Sequence, residues 1–402
     1  MKSVGVIVEY NPFHNGHLYH LKQSKRIAQA EVVVAVMSGN FLQRGEPAFV
    51  HKWSRTNMAL KAGADVVIEL PYMYAVQKAE FFAQGAVDLL SALQVDALCF
   101  GSESGDIHSF THTYEWMKKH ELTIQHTLKK EISLGVSYPE AMARAYKSLP
   151  DETNVLPLDK PNNILGYHYV KAALDKKHPI ELHTIARSVA DYHDEELPAQ
   201  ESIASATSIR KSIISGELAS IQHYMPQSSY EELQHYLQSE GTFHTWENYY
   251  SLLRYRILTS SVEELRDIYE CVEGLEYRLK KAASSALTFE SFIEQLKTKR
   301  YTRTRLQRML SHILLNVKKR DMDELLAPDS PPYLRILGMS QTGRTFLHQR
   351  KKKLTVPLLT KATGGASDNH PALVLDELAA TVHQSVLSSP TPEYKRRIII
   401  RD

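Results

Sequence analysis

Cysteine, net charge and long apolar runs are all scarce in this sequence of 402 residues. Its two cysteines, Cys99 and Cys271, stand alone, which excludes a disulfide framework and the CxxC spacing of a zinc site. We therefore expect both to be buried, unreactive side chains. No apolar run approaches the ~18 residues that a membrane-spanning helix needs. The first apolar run is also too short for a signal peptide, so we expect a location in the reducing cytoplasm.

The overall composition excludes extensive disorder. Hydrophobic residues make up 43% of the chain and charged residues 23%, and the net charge is only +2. These values are ordinary for globular proteins. At ~100–200 residues per domain, the length favours two domains. Nothing in the sequence points to a membrane or to a protein partner.

The first half alternates short apolar runs with helix-like stretches. The apolar runs are rich in β-branched residues and occupy positions 4–8, 32–36, 66–68 and 97–100, and a fifth strand is predicted over 180–185 after a helix over 164–174. Runs of this length suit strands buried on both faces of a parallel sheet. The stretches between them predict helices over 18–30, 54–62 and 77–93, with Ser54 as an N-cap. The alternation predicts a Rossmann-like, doubly wound parallel α/β domain over residues 1–215.

The second half has a different pattern. Apolar residues recur at the helical period of 3.6 over positions 231–237, 249–258, 262–284, 289–296 and 303–317. The pattern also admits a short strand over 354–358. We therefore predict that residues 216–402 form a mainly α-helical C-terminal domain.

The strongest chemical signal is the HxGH motif His14-Asn15-Gly16-His17, which follows the first predicted strand and an Asn-Pro turn. Ligands of open α/β sheets bind at the carboxyl ends of the strands. A helix that begins at Gly16 would present free N–H groups to an anion. Because His14 and His17 are three residues apart, both can face the same ligand. Two imidazoles and backbone donors suit a polyphosphate whose charge grows in the transition state, so we predict that His14 and His17 are catalytic.

A second motif, S-x-T-x-I-R, lies just before residue 215. Ser205 and Thr207 supply two hydroxyls at a predicted helix start, and Arg210 follows three residues later. Such a set can bind the β- and γ-phosphates of a nucleotide. We predict a phosphate site here.

A basic segment in the helical half predicts contact with RNA. Residues 295–320 contain no acidic residue and nine basic ones, which are Lys297, Lys299, Arg300, Arg303, Arg305, Arg308, Lys318, Lys319 and Arg320. Such a segment neutralises phosphates, and the interleaved Tyr301 can stack on an unpaired base. We predict tRNA contacts at Lys297, Lys299, Arg300, Tyr301, Arg303, Arg305 and Arg308. Basic residues at 350–353 and 395–397 would extend the patch.

The HxGH segment resembles the signature of the nucleotidylyltransferase superfamily. These proteins usually show T-F-D-P-x-H-x-G-H, and here Pro12, His14, Gly16 and His17 match. The resemblance implies a Rossmann-like fold that binds ATP and an attack on its α-phosphate that releases pyrophosphate. Glu9 replaces the threonine, which often contacts a phosphate. A carboxylate would repel that phosphate, which disfavours transfer to a phosphorylated acceptor.

Nearly the whole chain resembles a narrower family, the bacterial tRNA(Met) cytidine acetate ligases. The matching segments are E-Y-N-P-F-H-N-G-H, V-M-S-G-N-F-x-Q-R-G-E-P (36–47), P-N-N-I-L-G (161–166) and K-x-K-R-Y-T-x-T-R-L-x-R (297–308). The resemblance implies formation of acetyl-adenylate from ATP and acetate. It also implies acetyl transfer to the exocyclic amine of the wobble cytidine in elongator tRNA(Met).

The same resemblance assigns ATP contacts. They are Ile7, Val8, Glu9, Tyr10, Asn11, Pro12, Phe13, His14, Asn15, Gly16, His17, Leu18, Tyr19, His20, Gly101, Asn162, Arg187 and Ser188. We predict no metal ligands among the side chains, but Mg²⁺ is expected with the ATP phosphates.

Two other functions remain open. One is a nucleotidylyltransferase that makes a dinucleotide-type product from ATP and a small phosphorylated acceptor. The other is an RNA-binding protein whose nucleotide fold is inactive. The basic helical half disfavours the first, and the retention of both histidines and Arg210 disfavours the second.

Overall fold

The computed structural model describes residues 1–136, 138–150, 152–187, 197, 202–272, 274–361 and 370–402. Within these ranges one sheet runs through the molecule. Its strands are β1 (Ser3–Val8), β2 (Val32–Ser38), β3 (Val66–Leu70), β4 (Ala97–Ser102), β5 (Glu181–Ala186), β6 (Leu334–Ser340), β7 (Leu358–Leu359) and β8 (Ile399–Arg401). They lie in the order β5-β4-β1-β2-β3-β6-β7, and β8 also pairs with β6.

The first five strands are parallel, and β6 is antiparallel to β3. Along β2 the side chains alternate between two cores. Val34 and Val36 pack on one face of the sheet, and Ala35 and Met37 pack on the other. Burial on both faces explains the continuous apolar runs. The predicted Rossmann-like, doubly wound parallel sheet is confirmed.

Helices cover both faces of this sheet. In the first half they are α1 (Asn15–Ile27), α2 (Lys52–Lys61), α3 (Tyr72–Ala75), α4 (Ala79–Ala92), α5 (Ile107–Lys119), α6 (Glu121–Ser133), α7 (Tyr138–Lys147), α8 (Pro161–Asp175) and α9 (Ala206–Ile214). The predicted cap Ser54 lies inside α2. The cap is His51, whose Nδ1 accepts a hydrogen bond from the Ser54 amide at 3.0 Å.

The second half is mainly helical, as predicted. Its helices are α10 (Gln227–Glu240), α11 (Trp246–Thr259), α12 (Val262–Arg266), α13 (Leu275–Ser285), α14 (Phe289–Leu296), α15 (Arg303–Leu314), α16 (Lys319–Leu326), α17 (Gln341–Arg350) and α18 (Pro371–Gln384). The single helix predicted over 262–284 is two helices. Between them Glu270 has a left-handed backbone (φ 59°), and Gly274 (φ 89°) precedes α13.

The last segment of the chain returns to the sheet. A helical core spans Trp246 to Ile313, but β6 then pairs with β3, and β7 and β8 pair with β6. No local pattern predicted β6, because its partner β3 lies more than 260 residues earlier in the chain. The domain boundary at residue 215 stays a prediction. Strands β6, β7 and β8, which follow that boundary in the chain, extend the sheet of the first half.

Both cysteines are buried free thiols, as expected. Among the described helices, none combines the length and the apolar composition needed to cross a membrane.

Candidate active site

A cavity of about 350 Å³ opens at the carboxyl ends of β1, β4 and β5. It is lined by the β1–α1 junction, the loop after β2, the start of α8 and the start of α9. Its lining includes Ile7, Val8, Glu9, Tyr10, Asn11, His14, Gly16, His17, Tyr19, His20, Gly101, Asn162, Arg187, Ser205, Thr207 and Arg210. Residues far apart in the sequence therefore meet where a doubly wound sheet binds its ligands.

The β1–α1 junction is held from several sides. Tyr10 has a left-handed backbone (φ 51°), and a cis peptide bond joins Asn11 to Pro12. The Asn11 side-chain oxygen accepts a hydrogen bond from the Phe49 amide at 2.7 Å. The buried Arg55 donates to the Glu9 carbonyl at 2.7 Å. These contacts fix the turn that presents the two histidines.

His14 and His17 both contribute to the N-terminal cap of α1. The His14 Nδ1 accepts from the Gly16 amide at 3.0 Å, and the His17 Nδ1 accepts from the His14 amide at 3.3 Å. The two ring centroids are 3.8 Å apart. A neutral imidazole carries one proton, so each ring has that proton on Nε2 and can donate it to a ligand.

The electrostatics of the cavity keep these rings neutral. Burial, together with the charges of Arg187 and Arg210, lowers the pKa of His14 to about 3. Burial and the neighbouring His14 lower the pKa of His17 well below its usual value. Burial and the charge of Arg187 lower the pKa of His20 to about 4. Neutral donors beside two fixed cations suit a polyanion.

The S-x-T-x-I-R motif contacts the turn that leads into the HxGH motif. Ser205 caps α9, and its side-chain oxygen accepts from the Ser208 amide at 3.0 Å. Arg210 donates to the Asn11 carbonyl at 2.8 Å and lies 3.4 Å from the Thr207 hydroxyl. The start of α9 therefore faces the start of α1 across the cavity.

The third wall comes from β4, β5 and α8. The Glu103 carboxylate accepts from the Asn162 side-chain amide at 2.7 Å. The Asn162 side-chain oxygen in turn accepts from Arg187 at 2.7 Å. Gly101 lines the same wall next to Arg187, because a Cβ added at Gly101 would be 3.6 Å from the Arg187 side chain.

Some predicted contacts do not line the cavity. Phe13 is fully buried in a core, and Pro12 and Leu18 are also absent from the lining. Asn15 turns away, because its side-chain amide donates to the carbonyls of Ser202 and His223 at 2.8 and 2.9 Å. Ser188 lies outside the described residues.

The loop after β2 is a wall that the sequence analysis did not assign. It contributes Leu42, Gln43, Arg44 and Glu46 to the lining. The signal was present, because these residues lie within the segment 36–47 that carries the family resemblance. Phe82, Phe100, Leu165 and Tyr169 add an apolar surface that no local motif indicated.

The same loop contacts the basic half of the molecule. The Ser311 hydroxyl of α15 donates to the Gly45 carbonyl at 2.6 Å, and the Gln307 side chain donates to Glu46 at 3.4 Å. At Gly45 (φ 80°) an added Cβ would lie 2.3 Å from the backbone nitrogen of Arg308. The loop therefore connects the cavity with α15.

The predicted tRNA residues differ in their availability. Lys299 and Arg300 are exposed, and Arg305 is partly exposed over the Tyr301 ring at 4.8 Å. Lys297 pairs with Glu294 at 2.9 Å, and Arg303 pairs with Glu290 at 2.6 Å.

Two of these predictions need correction. The Tyr301 ring is only 7% exposed and packs in the helical core, so it does not offer a face to a base. Arg308 is also 7% exposed and pairs with Glu270 at 3.3 Å. Charge counting missed both positions because they lie on the buried side of the segment.

No group of three or more His, Cys, Asp or Glu side chains in the described ranges is arranged to hold a metal ion.

The chain matches the family HIGH Nucleotidyl Transferase over residues 1–397. It is 51% identical over 392 residues to the tRNA(Met) cytidine acetate ligase of Bacillus licheniformis, which covers 97% of this chain and 94% of that protein. The enzyme of the same name from Bacillus subtilis is 49% identical over 391 residues, with the same coverage of both chains.

Two solved structures are similar over the full length of both chains. The apo form I of Thermotoga maritima TmcAL has a TM-score of 0.92 and 32% identity. Form II of the same protein, bound with alpha-thio ATP, has a TM-score of 0.89 and 32% identity.

Proposed function

The chain belongs to the HIGH nucleotidyl transferase family and, within it, to the tRNA(Met) cytidine acetate ligases, and we propose that it activates acetate with ATP and acetylates the wobble cytidine of elongator tRNA(Met). The observation behind the proposed chemistry is the pair of neutral histidines at the start of α1, faced by Arg187 and Arg210. The products are AMP, pyrophosphate and N4-acetylcytidine.

In the first step an acetate oxygen attacks the α-phosphorus of ATP and pyrophosphate leaves. We assign catalytic roles to His14 and His17, because each has an Nε2–H to donate to phosphate oxygens. Charge that grows on the leaving pyrophosphate is stabilised by such preorganised donors and by the N-terminus of α1. Arg187 and Arg210 contribute fixed positive charge, and Ser205 and Thr207 contribute hydroxyls.

ATP binding is supported by the family and by the related structure that contains alpha-thio ATP. We propose that the nucleoside lies against Gly101 and Asn162 on the β4 side of the cavity. Mg²⁺ would accompany the phosphates, bound by their oxygens and by water.

In the second step the acetyl group passes to tRNA. The mixed anhydride is a strong acyl donor, so positioning of the cytidine supplies much of the rate. We propose that residues 216–402 bind the tRNA and that Lys299, Arg300 and Arg305 contact its phosphates. Two free thiols suit a reducing compartment, so we propose that the enzyme works in the cytoplasm.

The test separates the two steps. Without tRNA, the protein should exchange labelled pyrophosphate into ATP only when acetate is present. With elongator tRNA(Met), it should release AMP and form acetylated cytidine. Exchange without acetate would contradict an acetyl-adenylate, and release of ADP and phosphate would indicate an acyl phosphate instead.

A further inference from the structure

Glu9 is a carboxyl group in the cavity that the first step does not use. It directly follows β1 and lines the cavity, and its Oε1 accepts a hydrogen bond from the Gln43 amide at 2.8 Å. Among the described residues, no donor hydrogen-bonds to its Oε2. Burial raises the pKa of Glu9, and the charge of Glu46 raises it further. The Gln43 hydrogen bond and the charges of Arg44 and Arg55 only partly offset this increase.

The sheet order places Glu9 between two sides of the cavity. On one side of β1 lie β4 and β5, which supply Gly101 and Arg187. On the other side lies β2, whose following loop supplies Gln43 to Glu46 and contacts α15. Glu9 is hydrogen-bonded to this second side. Glu9 therefore lies between the side of the cavity that holds Arg187 and the loop after β2 that contacts α15.

The second step of the proposed reaction needs a proton acceptor. The lone pair of the cytidine N4 amine is shared with the ring, so the amine is a weak nucleophile. When N4 attacks the acetyl carbon, its N–H becomes strongly acidic. A side chain that removes this proton as the C–N bond forms typically accelerates such a step by about 10²–10⁴.

We propose that Glu9 is the general base that deprotonates the cytidine amine during acetyl transfer, an inference that rests on the proposed function. The N4–carbon bond forms, and the bond between the acetyl carbon and the AMP oxygen breaks. The electron pair of that bond leaves with AMP. One proton moves from N4 to Glu9 Oε2 and is then released to water.

The other titratable groups of the cavity are less suited to this role. The Nδ1 atoms of His14 and His17 accept backbone hydrogen bonds, and their Nε2 atoms carry the proton, so neither ring offers a free lone pair. The Nε2 of His20 also has no hydrogen-bond partner among the described residues, but burial and the charge of Arg187 lower its pKa to about 4, so this ring is a weak proton acceptor. Glu46 accepts a hydrogen bond from Gln307 and borders α15. Glu9 keeps an open acceptor atom.

Glu9→Gln tests the proposal because the amide oxygen can still accept the Gln43 hydrogen bond. We expect acetate-dependent pyrophosphate exchange to stay within a few-fold of wild type. Single-turnover transfer from preformed acetyl-adenylate to tRNA should fall by about 10²–10⁴. Glu80→Gln, an exposed acid on α4, is the matched control and should leave both rates unchanged. Equal loss of both rates in Glu9→Gln would overturn the proposal.

The shape of the pH profile gives a second readout, because it does not depend on what fraction of the variant is folded. A base must be ionised, so wild-type transfer should rise with pH through the pKa of Glu9, and Glu9→Gln should lack this rise. A higher acetate requirement for exchange in Glu9→Gln would assign the residue to acetate binding and refute the base. If the wild-type protein shows no acetate-dependent exchange, the proposed function itself fails.

Discussion

A histidine that caps a helix through Nδ1 has only Nε2 left for a ligand. The Nδ1 atoms of His14 and His17 both accept a backbone hydrogen bond, so the local fold selects for each ring the tautomer with the proton on Nε2. The motif therefore needs both histidines for two reasons. They cap the N-terminus of α1. They also serve as neutral hydrogen-bond donors in a buried position, where a charged side chain would pay a desolvation cost.

The first prediction concerns the loss of one donor. His17→Ala should lower acetate-dependent pyrophosphate exchange by about 10²–10³, as removal of a single preorganised donor does. Loss of its contact with the His14 amide should cost about 1 kcal/mol of stability. His126→Ala, an exposed histidine on α6, is the control. Near-normal exchange in His17→Ala would refute a catalytic role for this ring.

The second prediction concerns pH. Because burial and Arg187 and Arg210 lower the pKa of His14 to about 3, the ring stays neutral as the pH falls through the ordinary histidine range. The exchange rate should therefore show no histidine inflection between about pH 5 and pH 8. A rate that falls as the pH rises through 6.5 would show that an imidazolium, and not a neutral ring, donates to the phosphate oxygens.

At the scale of elements, the loop after β2 contacts both the cavity and α15. The turn is tight, because Gly45 donates to the Leu42 carbonyl at 2.8 Å and Leu42 donates to the Glu46 carbonyl at 2.9 Å. Its outer side contacts α15, and its inner side lines the cavity. We therefore expect a shift of α15 to move the loop after β2 more than it moves the side of the cavity formed by Gly101 and Asn162, where we place the nucleoside.

The third prediction tests this connection. Gly45→Ala introduces a Cβ 2.3 Å from the Arg308 nitrogen, so the loop and α15 must separate. Acetyl transfer to tRNA should fall at least tenfold, while pyrophosphate exchange changes little. Gly135→Ala is the matched control, because it has the same left-handed backbone (φ 81°) with no atom within 4 Å of the added Cβ. Equal losses of acetyl transfer in Gly45→Ala and Gly135→Ala would show that backbone strain alone, and not separation of the loop from α15, causes the effect.

The fourth prediction concerns the exposed basic residues before α15. Lys299→Ala with Arg300→Ala should weaken tRNA binding and reduce the slope of log affinity against log salt by about two, one for each lost phosphate contact. Pyrophosphate exchange should be unchanged. Arg26→Ala, an exposed arginine on α1, is the control. If the salt slope stays at the wild-type value, the tRNA phosphates bind elsewhere.

How far the sequence predicts these elements depends on the range of the interactions that form them. The HxGH turn follows from its local motif, and strands β1 to β4 follow from continuous apolar runs that reflect their burial on both faces. The burial of Tyr301 and Arg308 does not, since it depends on packing against α11 to α14 and on Glu270. Leu42 to Glu46 were quoted in a motif but not assigned, because their place in the cavity depends on the sheet order.

At the scale of the whole molecule, a buried ionic cluster ties the end of the chain to the first domain. The Glu393 carboxylate lies 2.7 Å from Lys52 on α2 and 2.6 Å from Arg335 on β6. Both cations also pair with Glu69 on β3, at 2.6 and 3.0 Å. These four side chains are only 1–3% exposed. Such a cluster is costly to desolvate, but removing one partner leaves a buried charge unpaired.

The fifth prediction follows from that asymmetry. Glu393→Gln should destabilise the protein by about 3–5 kcal/mol, whereas Glu294→Gln, which breaks an exposed pair with Lys297, should cost about 0–1 kcal/mol. Denaturant unfolding with hydrogen exchange of β6 provides the measurement. Faster exchange of β6 than of β1 would indicate that the end of the chain detaches first. Equal stability of Glu393→Gln and wild type would show that the cluster contributes nothing net.

The pH dependence of this difference checks its electrostatic origin. Burial raises the pKa of Glu393, but attraction by Lys52 and Arg335 outweighs it and lowers the pKa from 4.5 to about 2. A carboxyl with a depressed pKa stabilises the fold fully above the unfolded value of 4.5 and loses that contribution as the pH falls toward 2. The stability gap between wild type and Glu393→Gln should therefore be constant near neutral pH and shrink below about pH 4.5. A gap that persists unchanged to low pH would assign the loss to packing of the side chain, and the attachment of β6 and β8 to the sheet would then depend on strand pairing and apolar contacts and not on the ionic cluster.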